Sequence, residues 1–193
     1  IDGKLTISMD SITGHANIHS TNGSLNAALS ADSKGRYNIS AMGTAINLGN
    51  ITGQEHFSTC NIQGSAEGNI NTLTNFNIEL SKLQFKGYTY SPITINGTAG
   101  KEFIKATAST EDPNASAMLG LTYKHNRKGN KLDIHLAVDS FIPHNLNLKY
   151  KEPHIFSFTA DGEYEHRDNG KSLTNIKIQN FCHNDGKEAT NIQ

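Results

Sequence analysis

A chain of 193 residues is long enough for one large all-β domain or two small ones. Hydrophobic residues make up only 35% and aromatics 7%, with no Trp, so the core is thin and an extended sheet fits better than a dense globule. The balance of 17 basic against 18 acidic residues, a net charge of -1, gives no general electrostatic reason to expect nucleic acid or an anionic membrane surface as partner.

The first third carries weak strand patterns: Leu5 to Met9, Leu25 to Leu29 and Tyr37 to Ala41. Asn22-Gly23 and Ser33-Lys34-Gly35 between them read as hairpin turns, because Asn and Gly tolerate positive φ. The run from Ala41 to Asn50 fits either a strand with a glycine bulge or a short irregular crossing. In the small-residue strand from Cys60 to Gly68, Gly64 and Gly68 share a face, as a close backbone approach or a bend requires.

From residue 72 to 138 the alternation is regular. Phe76-Asn77-Ile78-Glu79-Leu80, Ile93-Thr94-Ile95, Ala115 to Leu119 and Leu132 to Val138 each send every second side chain to one face. Lys124 to Lys131, the densest basic stretch, falls between two such runs and reads as a solvated hairpin loop. After Val138 the rhythm breaks: Pro143 argues against a central strand, and a turn leads into Leu146-Asn147-Leu148-Lys149-Tyr150. Ile155 to Glu165 resumes the alternation, with Phe156 and Phe158 on one face, and Asn175 to Phe181 supplies a last strand ahead of a polar end.

The fold expected is therefore all-β, an antiparallel meander. No sharp composition shift and no close internal repeat divides the chain, so residues 1–193 read as one continuous β-rich segment with a soft boundary near 50–60. It begins at Ile1, as a processed product or a piece of a larger protein does, and no apolar run approaches the ~20 residues that span a bilayer. With no amphipathic helix to serve as a lid, the dry face must be covered by another sheet, a partner or lipid.

The search for chemistry finds little. His15 and His19 would share a strand face but lie roughly 13 Å apart, too far for one ion, and no HExxH is present. Glu111-Asp112 and Asp161-Gly162-Glu163 sit beside turn formers, as solvated carboxylates do. There is no GxSxG, P-loop or GxGxxG. The chain reads as a protein without catalytic residues, metal or cofactor. Cys60 and Cys182 could form one disulfide in an oxidising compartment or remain two free thiols. Five Asn-x-Ser/Thr triplets, beginning at Asn22, Asn38, Asn50, Asn96 and Asn114, arise by chance in so polar a sequence.

The stretch from Asn75 to Tyr123, through Leu80-Ser81-Lys82-Leu83-Gln84-Phe85-Lys86-Gly87-Tyr88, Ile93-Thr94-Ile95-Asn96-Gly97 and Asp112-Pro113-Asn114, resembles the meander of TamB/AsmA-like envelope proteins, particularly those of Bacteroidetes. The segment from Ala137 to Leu148, together with Asp161-Gly162 and Ile176-Lys177-Ile178, resembles the next segment of those proteins. The likeness covers about the last two-thirds of the chain, and the first third by texture only.

That resemblance implies an elongated curved sheet, or a U-shaped β-taco-like trough with an apolar interior, in the periplasm on a protein anchored in the inner membrane. It implies phospholipid acyl chains as cargo on the way to the outer membrane, and a link with outer-membrane β-barrel assembly. The residues expected to line the groove are Phe76, Ile78, Leu80, Ile93, Ile95, Leu119, Leu121, Leu132, Ile134, Leu136, Leu146, Leu148, Phe156 and Phe158. The alternative for each is the closed core of a sandwich or barrel. A surface adhesin or carbohydrate-binding β-sandwich module is the competing function: abundant Asn, Ser and Thr fit it, and the poverty of aromatic platforms argues against it.

Overall fold

A computed structural model describes residues 2–127, 129–167, 172–184 and 189–192. Lys128, within the basic stretch, and much of the polar end lie outside them. The chain forms two compact units, residues 1–101 and 102–193.

In the first unit, β1 (Asp2–Ile7), β2 (Ser11–Ser20), β3 (Gly23–Asp32), β4 (Arg36–Asn47), β5 (Thr59–Asn69), β6 (Leu73–Ser81) and, after a small β7–β8 hairpin (Gln84–Phe85, Tyr88–Thr89), β9 (Ile93–Gly100) pair in chain order. Every pairing is antiparallel. In the second unit, β10 (Phe103–Asp112), β11 (Ala115–Asn126), β12 (Gly129–Phe141), β13 (Ile155–Arg167), β14 (Ser172–Asn184) and β15 (Ala189–Ile192) do the same. The expected all-β antiparallel meander is what the chain forms. Neither sheet is closed into a barrel, and neither unit is a sandwich, since the only other sheet among the described residues is the β7–β8 hairpin.

Turn chemistry sets the register. Gly23 at φ 117° follows Asn22 in the β2–β3 turn, and an added Cβ there would lie 2.7 Å from the Ala45 carbonyl oxygen. The β3–β4 turn is built on Asp32, whose Oδ1 accepts from the Lys34 and Arg36 amides at 3.0 and 2.9 Å while Oδ2 takes Arg36 Nε at 2.7 Å. The Ala41–Asn50 run resolves into the end of β4, a bulge at Thr44-Ala45 with Ala45 at φ 52°, and the single-turn α1 (Leu48–Thr52). The bulge adds the residue that keeps Ile46 on the same face as Gly43. Helix α1 buries nothing, and no helix among the described residues is long and apolar enough to cross a membrane.

Within the first unit the long connections gather at one end of the strands. Residues 48–58 join β4 to β5 and residues 82–92 join β6 to β9. They brace each other where Ser58 N donates to Gln84 O, Lys86 N donates to His56 O, and Phe57 packs on Phe85 at 4.8 Å. In the second unit, residues 142–154 join β12 to β13 and are tied to the β10–β11 hairpin through Asn114.

Burial is the unusual feature. Among the described residues, the only fully buried hydrophobic side chains are Cys60 and Leu146. A closed β-sandwich core would seal a dozen or more.

Candidate functional site

Register carries the alternation of one strand onto its neighbours, so the faces can be read across each sheet. In the first unit one row runs Leu5, Gly14, Leu29, Ile39, Ala66, Phe76, Gly97 from β1 to β9, and another runs Ile18, Leu25, Gly43, Ile62, Leu80, Ile93 from β2 to β9. Between them lies Gly3, Ala16, Ala27, Ala41, Gly64, which ends against Ile78 and Ile95. The middle row is a furrow of Gly and Ala, perpendicular to the strands, with a bulkier row about 6.7 Å to either side. It crosses five strands, a span of about 19 Å. An open depression of about 510 Å³ lies over its β1–β4 part, bounded by Leu5, Leu29 and Ile39.

The opposite face of the same strands carries His15, Asn17, Asn26, Ser40, Gln63, Ser65, Asn77 and Asn96. Met42 and Leu73 are its large apolar exceptions, and Ala28 a small one.

The second unit repeats the division, with Phe103, Met118 and Leu173 among the large apolar exceptions on its polar face. Rows Ala108, Leu119, Leu136, Ala160, Ile178 and Ala106, Leu121, Ile134, Gly162, Ile176 run across β10 to β14. Leu132, Leu136 and Ile134 border a depression of about 280 Å³ floored by Ala160 and Gly162. Two polar groups intrude on the apolar face in the first unit, and they satisfy each other: the Tyr37 hydroxyl reaches across β5, over Gly68, to the Thr74 hydroxyl.

Much of the face is exposed in both units. Leu5 and Ile7 of the first unit are 63% and 68% exposed, and Ile176 and Ile178 of the second are 71% and 62% exposed. Fully burying each such side chain is worth ~1.5–3 kcal/mol, so a row of them is a standing liability without an occupant.

The polar face of the second unit is a solvated charge network. Asp133 and Glu163 stand opposite each other across β12 and β13, a like-charge contact that Lys131 relieves by reaching Glu163 at 2.7 Å and Asp133 at 3.3 Å. Those carboxylates, Glu163 first, hold the Lys131 ammonium above its ordinary range. His135 Nδ1 meets Asp161 at 2.7 Å. The 420 Å³ depression here has no Phe or Tyr among its described lining residues.

Among the described residues no three His, Cys, Asp or Glu side chains converge as metal ligands. Both cysteines are free thiols, and burial pushes the Cys60 thiol up, away from the reactive thiolate.

Of the residues expected to line a groove, Phe76, Ile78, Leu80, Ile93 and Ile95 share the apolar face of the first unit, and Leu119, Leu121, Leu132, Ile134, Leu136, Phe156 and Phe158 that of the second. Leu146 and Leu148 need correction, because they lie in the 142–154 connection and not on a strand. Leu146 is 1% exposed and therefore a packing residue. Pro143 fixes its own φ and lacks an N–H, and Asn147 sits at φ 57°, so Leu-Asn-Leu here is a turn and not an alternation. The expectation omitted the apolar half of β1 to β5, where the face is built from Ala and Gly as much as from Leu and Ile, and it omitted Ile176 and Ile178 of β14. Register through the hairpins was the signal for both. Comparison with family models, curated proteins and solved structures found no match.

Proposed function

We propose that the apolar face of each sheet holds lipid acyl chains, in a periplasmic segment of a TamB/AsmA-like bridge protein that shields tails during phospholipid transport to, or assembly of, the outer membrane. The observation that carries this reading is a two-faced sheet in each unit, a few side chains excepted, whose apolar side is left largely exposed among the described residues. An acyl chain laid on it recovers ~0.8 kcal/mol per buried CH₂ without any directed polar contact. The reading therefore calls for no convergent polar groups at all.

The furrow fits the cargo. A bilayer's hydrocarbon core is ~30 Å thick, about 15 Å per tail. A floor of about 19 Å lined by Gly and Ala lets one extended tail lie between the two bulkier rows, close enough to touch backbone and methyl groups. Gliding along such a floor meets no specific contact to break, as a conduit requires.

The experiment is native mass spectrometry of the gently purified protein, with lipid extraction in parallel. Phospholipid or fatty-acyl adducts are expected. A lipid-free chain that stays folded and monomeric with its apolar face open to water would overturn the proposal.

A further inference from the structure

His154, in the connection between β12 and β13, and His183, on β14, bring Nδ1 and Nε2 within 2.8 Å. Their centroids are 4.9 Å apart and their planes within 28° of parallel, the edge-to-edge arrangement of a hydrogen bond between rings. His183 stacks in turn on Phe156 at 5.0 Å, and the Tyr150 ring meets both His154 and Phe156 edge-on. Since Phe156 and His183 stand opposite each other on the apolar face, Tyr150 and His154 lie over one end of that face.

The connection is held in two unlike ways. Its first half is pinned by neutral hydrogen bonds: Ile142 N donates to Asn114 O at 2.9 Å, Asn145 Nδ2 donates to Asn114 Oδ1 at 2.8 Å, and Leu146 is buried beside them in sequence. The second half, residues 149–154, is tied back to the first only at Tyr150, through its amide to the Leu148 carbonyl and its carbonyl to His144 Nδ1, and beyond that relies among the described residues on the histidine pair and the aromatic contacts around it.

A hydrogen bond between two imidazoles needs a hydrogen on one nitrogen and a lone pair on the other. It survives with both rings neutral or with one protonated. With both protonated there is no acceptor, and two positive rings in contact repel. Among the described residues, no carboxylate is paired with either ring. From β13 the pair faces Phe156, from β14 its neighbours are Phe181, Cys182 and Asn184, and on β15 Thr190 stands opposite His183. The connection itself contributes Tyr150, Lys149, Lys151, Glu152, whose backbone carbonyl accepts from His154 N, and His144, whose Nδ1 is 2.9 Å from the Tyr150 carbonyl.

We propose that His154 and His183 form a pH-sensitive latch: it holds residues 149–154 over the Phe156 end of the apolar face at neutral pH and releases them when both rings are protonated. The first half of the connection stays pinned, so release swings a short flap and uncovers Phe156 and Phe181. The latch does not depend on what occupies the face.

Hydrogen exchange of the whole chain at about pH 7.5 and about pH 5.5, corrected for the intrinsic pH dependence of exchange, tests this without any lipid. Residues 149–156 are expected to exchange about tenfold faster at the lower pH while residues 142–148 stay protected. His183→Gln keeps a neutral partner for His154 in either protonation state and should remove the pH dependence, as should His154→Gln if the first variant folds poorly. Equal protection of 149–156 at both pH values in the native chain, equal loosening of 142–148, or a pH response retained by both Gln variants overturns the latch.

Discussion

Ala27 of β3 and Ala41 of β4 stand directly opposite each other on the apolar face, at the middle of a five-residue row that contains no side chain larger than a methyl group. At this pair the floor of the furrow is a single methyl group on each strand, set between bulkier rows, so its capacity depends on nothing larger being placed there. Ala41→Phe should fold, because the added ring projects from an uncovered face and meets no closed core, with a stability change within about 1 kcal/mol. It should cut lipid recovered with the protein at least severalfold. Extraction and phosphate assay against the native chain check this, and undiminished lipid would show that tails lie elsewhere.

Ile134→Asp separates an open face from a sealed one. Ile134 faces Gly162 across β12 and β13, where an added Cβ at Gly162 would rest 3.7 Å from Ile134 Cβ. On a half-exposed face the carboxylate keeps its water, and chemical denaturation should register a loss of about 1–2 kcal/mol with the fold intact. Unfolding, or a loss of more than about 4 kcal/mol, is the behaviour of a closed core.

Gly68 and Gly64, two turns of the pleat apart on β5, should respond oppositely to alanine. An added Cβ at Gly68 would lie 2.1 Å from the Leu73 carbonyl oxygen, a backbone atom that cannot step aside, whereas at Gly64 the nearest atom is 3.6 Å away. Gly68→Ala is expected to cost about 2–3 kcal/mol, and to disturb the Tyr37–Thr74 hydrogen bond that passes over that glycine. Gly64→Ala should be neutral or stabilising by about 0.5 kcal/mol, since it relieves the entropy cost of a strand glycine. Thermal melts of the two variants decide the matter.

Much of the fold was legible because β6, β9, β11, β12 and β13 alternate Leu, Ile or Phe with polar residues, and period two with large side chains admits little else. The same face in β1 to β5 was harder to see. Its furrow residues Ala16, Ala27, Ala41 and Gly64 have too little hydrophobic contrast with neighbouring Ser and Asn for alternation to register, and only cross-strand pairing reveals that they line up. A glycine bulge is one reading of the Ala41–Asn50 run, but the positive φ falls on Ala45, whose identity does not announce it, and the bulge at Asn180 of β14 carries no signal in the alternation. Leu146 and Leu148 misled in the opposite direction, since a turn can mimic one period of a strand.

Leu146 consequently belongs to stability and not to cargo. Leu146→Ala should cost about 2–5 kcal/mol, the range for emptying a sealed leucine site, and should leave the amount of bound lipid per folded molecule unchanged. Calorimetry paired with lipid extraction on the folded fraction checks both halves of that statement.

The β3–β4 hairpin should be acid-sensitive. Hydrogen bonds from Arg36, the side chain foremost, hold the Asp32 carboxyl below the usual carboxylate range. A group depressed on folding contributes stability that is present above its unfolded pKa and lost as pH falls through its folded one. The contribution should therefore persist at neutral pH and fade below about pH 4. Asp32→Asn should lower stability near pH 7 and flatten this acid limb, measured by denaturation at a series of pH values. An unchanged acid limb would assign the loss to other carboxylates.

The lipid proposal assigns one face of each sheet to acyl chains and the other to water, and adjacent residues on a strand point to opposite faces. A photo-crosslinking amino acid placed singly at Ala27 and at Ile134 samples the apolar faces, and the same group at Asn26 and at Asp133 samples the polar ones. After irradiation in cells, mass spectrometry of the intact protein should find phospholipid adducts at positions 27 and 134 and none at 26 and 133. Equal labelling of both members of each pair, or labelling confined to 26 and 133, would overturn that assignment.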